Sequence, residues 1–184
     1  VNLQPFTADA SDPARLVADL TARNVDATRV LHLRSFLDHD RPARAPLGDW
    51  TAREADGDAC TVVAPDGSLV PPAKAIQSLV EHFSNWRHLL GPHGLLLLEV
   101  HRLPPAIAAR SRDDTESPHF DAYHAFSGQQ LVQSDSFVLA AAEAGLFGSG
   151  TAFRKYPRVH PFARIQLQHL RPRPWRMRPA RLAD

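Results

Sequence analysis

The chain has few of the residues and segments that mark several large protein classes. Its 184 residues include one cysteine, Cys60, which excludes a disulfide within the chain and any multi-cysteine zinc or iron–sulfur site. The longest apolar run, around Leu95 to Leu98, is far shorter than the roughly 20 residues that a membrane span requires. The N-terminus also lacks a basic start followed by an apolar signal region. These absences predict a cytoplasmic protein that does not enter a membrane.

The chain also lacks a strong net charge. The formal net charge is +1, from 21 basic and 20 acidic residues, so no overall field favours nucleic acid or an anionic lipid surface. A hydrophobic fraction of 43% is ordinary for a globular domain with a core of its own. We therefore expect one domain whose partner is a small molecule or a carrier-borne substrate.

Local patterns in the first hundred residues predict alternating strands and helices. The firmest helix has apolar residues at helical spacing and ends at Gly91-Pro92, and the continuous apolar run that follows it is typical of a buried parallel strand. Asp12 and Pro13 are suited to the start of an earlier helix. The predicted elements are a strand at 1–6, a helix from 13 to about 23, a strand at 29–36, a helix at 73–90 and a strand at 95–100.

The second half predicts a different ending. Residues 43–72 have no helical period and contain a hairpin turn at Pro65-Asp66-Gly67, so we interpret them as a flap. Residues 104–126 look irregular, and a helix is predicted from about Ser134 to Gly145. Two strands, 151–156 and 162–170, are close enough to pair antiparallel, and residues 171–184 form an Arg/Pro-rich tail or linker.

This order of elements resembles the class I S-adenosylmethionine-dependent methyltransferase fold from its third strand to its seventh, whose last strands form a reversed pair. The stretches that carry the likeness are Thr7-Ala8-Asp9-Ala10, the strand and polar loop over 30–40, and Ala141-Ala142-Glu143-Ala144-Gly145-Leu146-Phe147. The resemblance implies an α/β, Rossmann-like sheet and methyl transfer to a carbon or an oxygen.

Three further stretches are similar to methyltransferase domains of bacterial polyketide assembly lines, some of which use a metal. They are the segment 34–42, the segment 80–86 leading into His93-Gly94-Leu95, and the segment 121–129. This likeness implies polyketide biosynthesis and an acceptor that is small or bound to an acyl carrier.

The chain departs from the family pattern because it has no first strand followed by a G-x-G loop and no acidic residue that ends a second strand. Backbone at that loop normally approaches the cofactor. We therefore expect residues 1–170 to be a partial methyltransferase domain whose partner is the missing N-terminal half. We also expect the isolated chain to bind the cofactor poorly. The alternative is a truncated or degenerate methyltransferase-like module that serves a structural role in a larger synthase.

The resemblance assigns candidate residues at the ends of two strands. Asp9 and Ala10 match the loop that contacts adenine, although Asp9 also suits a plain turn before a capped helix. Arg34 and Ser35 are further candidates for cofactor binding. His39 stands where related O-methyltransferases carry a base, with Asp38 or Asp40 to orient it; a solvated loop histidine is the other reading.

A second polar cluster follows the buried strand. His119, Asp121, His124 and Gln129 lie within a short span and offer imidazole and oxygen donors suited to iron or manganese. His124 and Gln129 are the candidate ligands. The alternative role for His124 is a hydrogen bond to substrate, which would place it with His39 and Asp38 among the catalytic residues.

Overall fold

The computed structural model describes residues 3–48, 62–113, 115–148, 152–158 and 162–172. These residues form five α-helices, seven β-strands and one short 3-10 helix, Ala27–Arg29. The helices are α1 Pro13–Thr21, α2 Pro72–Arg87, α3 Pro105–Arg110, α4 Ser117–Phe126 and α5 Ser134–Glu143. The strands are β1 His32–Ser35, β2 Val62–Val63, β3 Leu69–Val70, β4 Leu95–Val100, β5 Leu146–Gly148, β6 Arg154–Tyr156 and β7 Ile165–Pro172.

The main sheet is mixed, with strand order β1-β4-β7-β5. β1 and β4 are parallel, whereas β7 runs antiparallel to β4, with Val100 opposite Ile165. β6 also pairs antiparallel with β7, which confirms the predicted reversed pair at the end of the chain. The architecture is α/β and compatible with a Rossmann-like fold.

One strand of this sheet was not predicted. β5 follows the Ala-Gly turn directly and pairs with the end of β7, where Leu146 lies opposite Pro172. Its three residues are too few to show an alternating pattern, so only the neighbouring strand reveals it. β7 also extends to Pro172, two residues beyond its predicted end, and the rest of the tail lies outside the described residues.

The prediction of a first strand is wrong for its described part. Residues 3–6 form no strand, because within the described part of the chain no neighbour supplies the hydrogen bonds that a strand needs. Instead, the guanidinium of Arg23, just beyond α1, lies 4.3 Å from the ring centre of Phe6. The helix that follows is confirmed: the Asp12 side chain accepts from the N–H of Arg15, and Pro13 occupies its first turn.

The region from 104 to 126 was predicted to be irregular, and that prediction is also wrong. It contains α3 and α4, each with proline in its first turn, where the missing N–H costs no hydrogen bond. Neither helix has a strong apolar face, so the periodic signal is weak. In contrast, the predicted hairpin in the flap is confirmed: β2 and β3 pair around Gly67, which has a φ of +83°. Residues 49–61 of the flap lie outside the described residues.

The core lies on one face of the main sheet. Side chains of α2 and α5, such as Phe83 and Phe137, pack there against Leu95 and Leu97 of β4. The opposite face is open in the part of the chain that the structure describes, and Leu33 of β1 is 67% exposed on it. No described helix is long and apolar enough to cross a membrane. The carboxyl ends of β1 and β4 lie side by side, and the polar residues that follow them form the candidate site.

Candidate functional site

The loop after β1 turns sharply as it leaves the sheet. Phe36 has a φ of +56°, which is uncommon for a bulky residue, and its N–H donates to the carbonyl of Leu98 at 2.8 Å. This turn sends the two following polar side chains into the protein, where Asp38 is 2% exposed and His39 is 7% exposed. Backbone strain of this kind is often found at functional sites.

The ring of His39 is held by Glu99 of β4. Nδ1 of His39 lies 2.6 Å from Oε1 of Glu99, and that carboxylate also accepts from the N–H of Asp38 and of Val100, both at 2.8 Å. Because a carboxylate accepts, the proton of the neutral ring sits on Nδ1 and leaves Nε2 as a lone-pair acceptor. This is the arrangement of a general base with its orienting acid.

Glu99 was missed by sequence reasoning. It is 1% exposed and lies inside a strand of otherwise apolar residues, Leu95–Val100. An acidic side chain in a buried strand needs a partner, because an unpaired buried charge is very costly. That lone acidic residue was the available signal, but it did not identify the partner.

Asp38 does not orient His39. Its Oδ1 lies 3.0 Å from Nη2 of Arg34 and accepts from Nε2 of His82 at 2.9 Å. Burial alone would raise the pKa of Asp38, but the charge of Arg34 and the His82 hydrogen bond outweigh it, so this pKa is lowered. Burial lowers the pKa of His82 despite Asp38, so the neutral ring is favoured.

Arg34, a predicted cofactor-binding residue, is turned into the protein. It is 5% exposed, and its guanidinium lies 4.3 Å from the ring centre of Trp86. The indole N–H of Trp86 in turn donates to the carbonyl of Ala10 at 2.9 Å. Ser35, the other candidate on this strand, is exposed. Any contribution of Arg34 to cofactor binding is therefore indirect.

The predicted adenine loop is accessible. Asp9 is exposed, and its Oδ1 accepts from the N–H of Ser11 at 2.7 Å. The hydrogen bond from the backbone N–H of Ser11 is the largest cause that lowers the pKa of Asp9. An ionised, exposed carboxylate has acceptor capacity left for an amino group, so adenine binding by Asp9 and Ala10 stays a prediction with suitable geometry.

His124 lies beside His39, with 5.6 Å between the ring centres. Its Nδ1 donates to the carbonyl of Phe120 at 2.7 Å, so its Nε2 is also left as an acceptor. Two histidines from segments that follow neighbouring strands thus present imidazoles to one place. His124 is 8% exposed, which leaves only an edge of the ring accessible.

The structure does not support the predicted iron or manganese site. The amide nitrogen of Gln129 lies 3.3 Å from Oδ1 of Asp40, and Nδ1 of His124 is occupied by a backbone carbonyl. Among the described residues, no group of three or more His, Cys, Asp or Glu side chains is arranged to hold a metal ion.

The loop that carries His39 is fastened from two further sides. Arg41 donates to the carbonyl of Asp38 and to that of Ala75 in α2, each at 2.8 Å. Gln130 donates its backbone N–H to the carbonyl of His39 at 2.7 Å and its side-chain amide to that of Arg41 at 2.9 Å. The loop that carries His39 is therefore held on a fixed support, as proton transfer by this ring would require.

Comparison with known proteins places this arrangement in a family. No curated protein sequence matches the chain. The family model described as the AprA MT2-like domain, a methyltransferase family, matches residues 1–168 and so covers every residue of the site. The chain belongs to the AprA MT2-like domain family of methyltransferases.

Proposed function

We propose that this domain catalyses S-adenosylmethionine-dependent methyl transfer, with His39 as the base that removes a proton from the acceptor. The observation that carries the proposal is the contact of 2.6 Å between Nδ1 of His39 and Oε1 of Glu99. Both side chains are buried at the carboxyl end of neighbouring strands, where open α/β sheets place their sites.

Nε2 of His39 takes the proton from an acidic C–H or O–H of the acceptor, and the Glu99 carboxylate stabilises the imidazolium that forms. When bound, S-adenosylmethionine would supply the methyl group from its sulfonium to the electron pair that the acceptor gains on losing its proton, and the cofactor would leave as S-adenosylhomocysteine. His124, whose ring lies beside that of His39 and whose Nδ1 is already bonded, accepts a hydrogen bond from the acceptor at Nε2 and helps to align it.

The acceptor is a small or acyl-carrier-bound intermediate of polyketide biosynthesis. This part of the proposal rests on the resemblance of the segments 34–42, 80–86 and 121–129 to assembly-line methyltransferases. The near-neutral formal net charge of +1 agrees with such a substrate better than with a nucleic acid.

The described residues fit one end of the cofactor. The exposed carboxylate of Asp9 would accept from the adenine amino group, and Ala10 lies beside it. The glycine-rich loop that approaches the rest of the cofactor in this fold stands between a first strand and a helix, and no stretch ahead of Asp9 corresponds to it. We propose that the segment carrying that loop packs on the open face and edge of β1, where Leu33 is 67% exposed. Parallel strands are normally covered on both faces, which supports this placement.

The test compares His39→Gln with His119→Gln in a protein that joins this domain to its cofactor-binding segment. His119 is exposed on α4 and serves as the matched control. We expect His39→Gln to lower kcat by about 100-fold with unchanged cofactor affinity, the loss typical of a missing general base. Unchanged turnover in His39→Gln would show that His39 is not the base. A protein with no transferase activity on any acceptor would favour the structural-module alternative.

A further inference from the structure

We propose that Arg34 is a positioning residue that fixes the Asp9–Ala10 loop and the Asp38–His39 loop relative to each other. The proposal rests on the proposed function only in naming the first loop as the cofactor contact and the second as the base. The contacts themselves join two segments that are separated in sequence by α1 and β1.

The first contact runs from the Asp9–Ala10 loop to Trp86 of α2. The indole N–H of Trp86 donates to the carbonyl of Ala10 at 2.9 Å, and the indole is 2% exposed. A tryptophan N–H buried in this way needs an acceptor, and the Ala10 carbonyl supplies it. The position of Ala10 therefore depends on the position of the Trp86 ring.

The second contact runs from Trp86 to Arg34. The guanidinium carbon lies 4.3 Å from the ring centre, within the range of a cation–π interaction, and both residues are buried. Burial strengthens such a contact, because the cation is no longer fully hydrated. The indole ring thus has the Ala10 loop at its edge and Arg34 on its face.

The third contact runs from Arg34 to the loop of the base. Nη2 of Arg34 lies 3.0 Å from Oδ1 of Asp38, and both side chains are buried. Asp38 is the residue whose backbone N–H donates to Glu99, the partner of His39. Movement of the Asp38 side chain would thus disturb the carboxylate that orients the base.

These three contacts form one continuous path from Ala10 to His39, with Arg34 at its centre. Because its guanidinium is planar, Arg34 can reach Asp38 with an edge nitrogen while its face lies over the indole. A lysine ammonium can keep the charge near Asp38 but cannot make both planar contacts. A displacement of one loop therefore weakens contacts of the other.

Native-state amide hydrogen exchange tests this linkage without a cofactor or an assay of activity. The reporters are the amides of Ser11 and Asp12, which donate to Asp9, and the amide of Asp38, which donates to Glu99. In Arg34→Met we expect exchange at both loops to accelerate by about tenfold or more relative to the slowest core amides. Arg34→Lys should recover part of the protection at Asp38, because it keeps the charge.

Three further variants keep the test decisive. Arg34→Met leaves the buried Asp38 carboxylate without its charge partner, so this variant could unfold. The double variant Arg34→Met/Asp38→Asn avoids that unpaired charge, and it is compared with Asp38→Asn alone. Loss of the cation–π contact should still accelerate Ser11 and Asp12 in the double variant. Phe137→Leu, in the core on α5, is the control. Because it lowers the stability of the whole fold, it should accelerate the slowest core amides and have no selective effect on the two loops.

The proposal would be overturned if exchange accelerated only at the Asp38 amide. In that case the exchange rates of Ser11 and Asp12 would be unchanged in Arg34→Met and in the double variant. The readout also separates it from the proposed function. Faster exchange at both loops in a protein without transferase activity would still support the linkage through Arg34. It would contradict only the naming of the first loop as the cofactor contact and of the second as the base.

Discussion

Asp38 and His39 are neighbours in sequence, yet their side chains end in separate polar clusters. Asp38 contacts Arg34 and His82, whereas His39 contacts Glu99, which lies 60 positions further along the chain. The carboxylate that orients the His39 ring therefore comes from another strand and not from the adjacent aspartate. Loss of the Asp38 carboxylate and loss of the Glu99 carboxylate should therefore change different properties of the protein.

We expect Glu99→Gln to lower kcat by about 100-fold, because an amide stabilises the imidazolium poorly and allows the wrong tautomer. Asp38→Asn should instead lower the free energy of unfolding, by about 3 kcal/mol, because it leaves the buried Arg34 without its charge partner. Steady-state kinetics and denaturant unfolding of both variants check this division. A larger loss of turnover in Asp38→Asn than in Glu99→Gln would reverse the assignment.

Asp9→Ala should weaken cofactor binding by about tenfold, the effect of one hydrogen bond to a charged group, with little change in kcat at saturation. The adenine contact is remote from the transferred methyl group and acts equally on the ground and transition states. Asp26→Ala is a close control, since Oδ1 of Asp26 accepts from the N–H two residues ahead just as Oδ1 of Asp9 does. Calorimetry in the complete domain measures the cofactor affinity of both variants. Wild-type affinity in Asp9→Ala, as in the control, would disprove the adenine role.

His124→Ala should raise the Michaelis constant for the acceptor about tenfold and lower kcat much less. The ring presents an acceptor nitrogen beside His39 but has no carboxylate partner of its own, since its Nδ1 donates to the Phe120 carbonyl. A lost hydrogen bond to substrate therefore costs binding more than proton transfer. His119→Ala, on the exposed side of the same helix, is the control. A loss of kcat as large as that of His39→Gln would make His124 a second base.

The stability of the fold should decline in acid through His101. This residue is fully buried against Phe137, and burial lowers its pKa to about 3. The unfolded chain takes up a proton near its ordinary pKa of about 6.5, whereas the folded chain does not until about pH 3. The free energy of unfolding should thus fall, as pH drops through that window, by about 1.4 kcal/mol per unit from this group.

His101→Phe should flatten this slope, and His88→Gln, at the exposed end of α2, should not. His32 and His82 also have lowered pKa values, mainly through burial, so part of the slope will persist in His101→Phe. Denaturant unfolding at several pH values between 4 and 7 measures the difference. Equal slopes in wild type and His101→Phe would mean that the folded chain accommodates the imidazolium.

Sequence reasoning succeeded where one element carries its own signal. The helical spacing of apolar residues predicted α2, and the apolar run predicted β4, because both patterns follow from burial of a single helix or strand. The same reasoning named His39 and His124, since polar residues after parallel strands collect at one edge of a sheet. It missed β5, whose pairing with β7 involves residues more than twenty positions away.

The amino-acid sequence by itself determined the α/β class, the methyltransferase family and the polar segments that form the site. The tertiary structure decided how those segments are paired. In the folded chain, Glu99 contacts His39, and Nδ1 of His124 donates to a backbone carbonyl. Arg34 points inward and contacts Trp86 and Asp38. Periodicity and composition are local properties of the chain, whereas these partners are chosen by packing, which brings together residues that no local pattern relates.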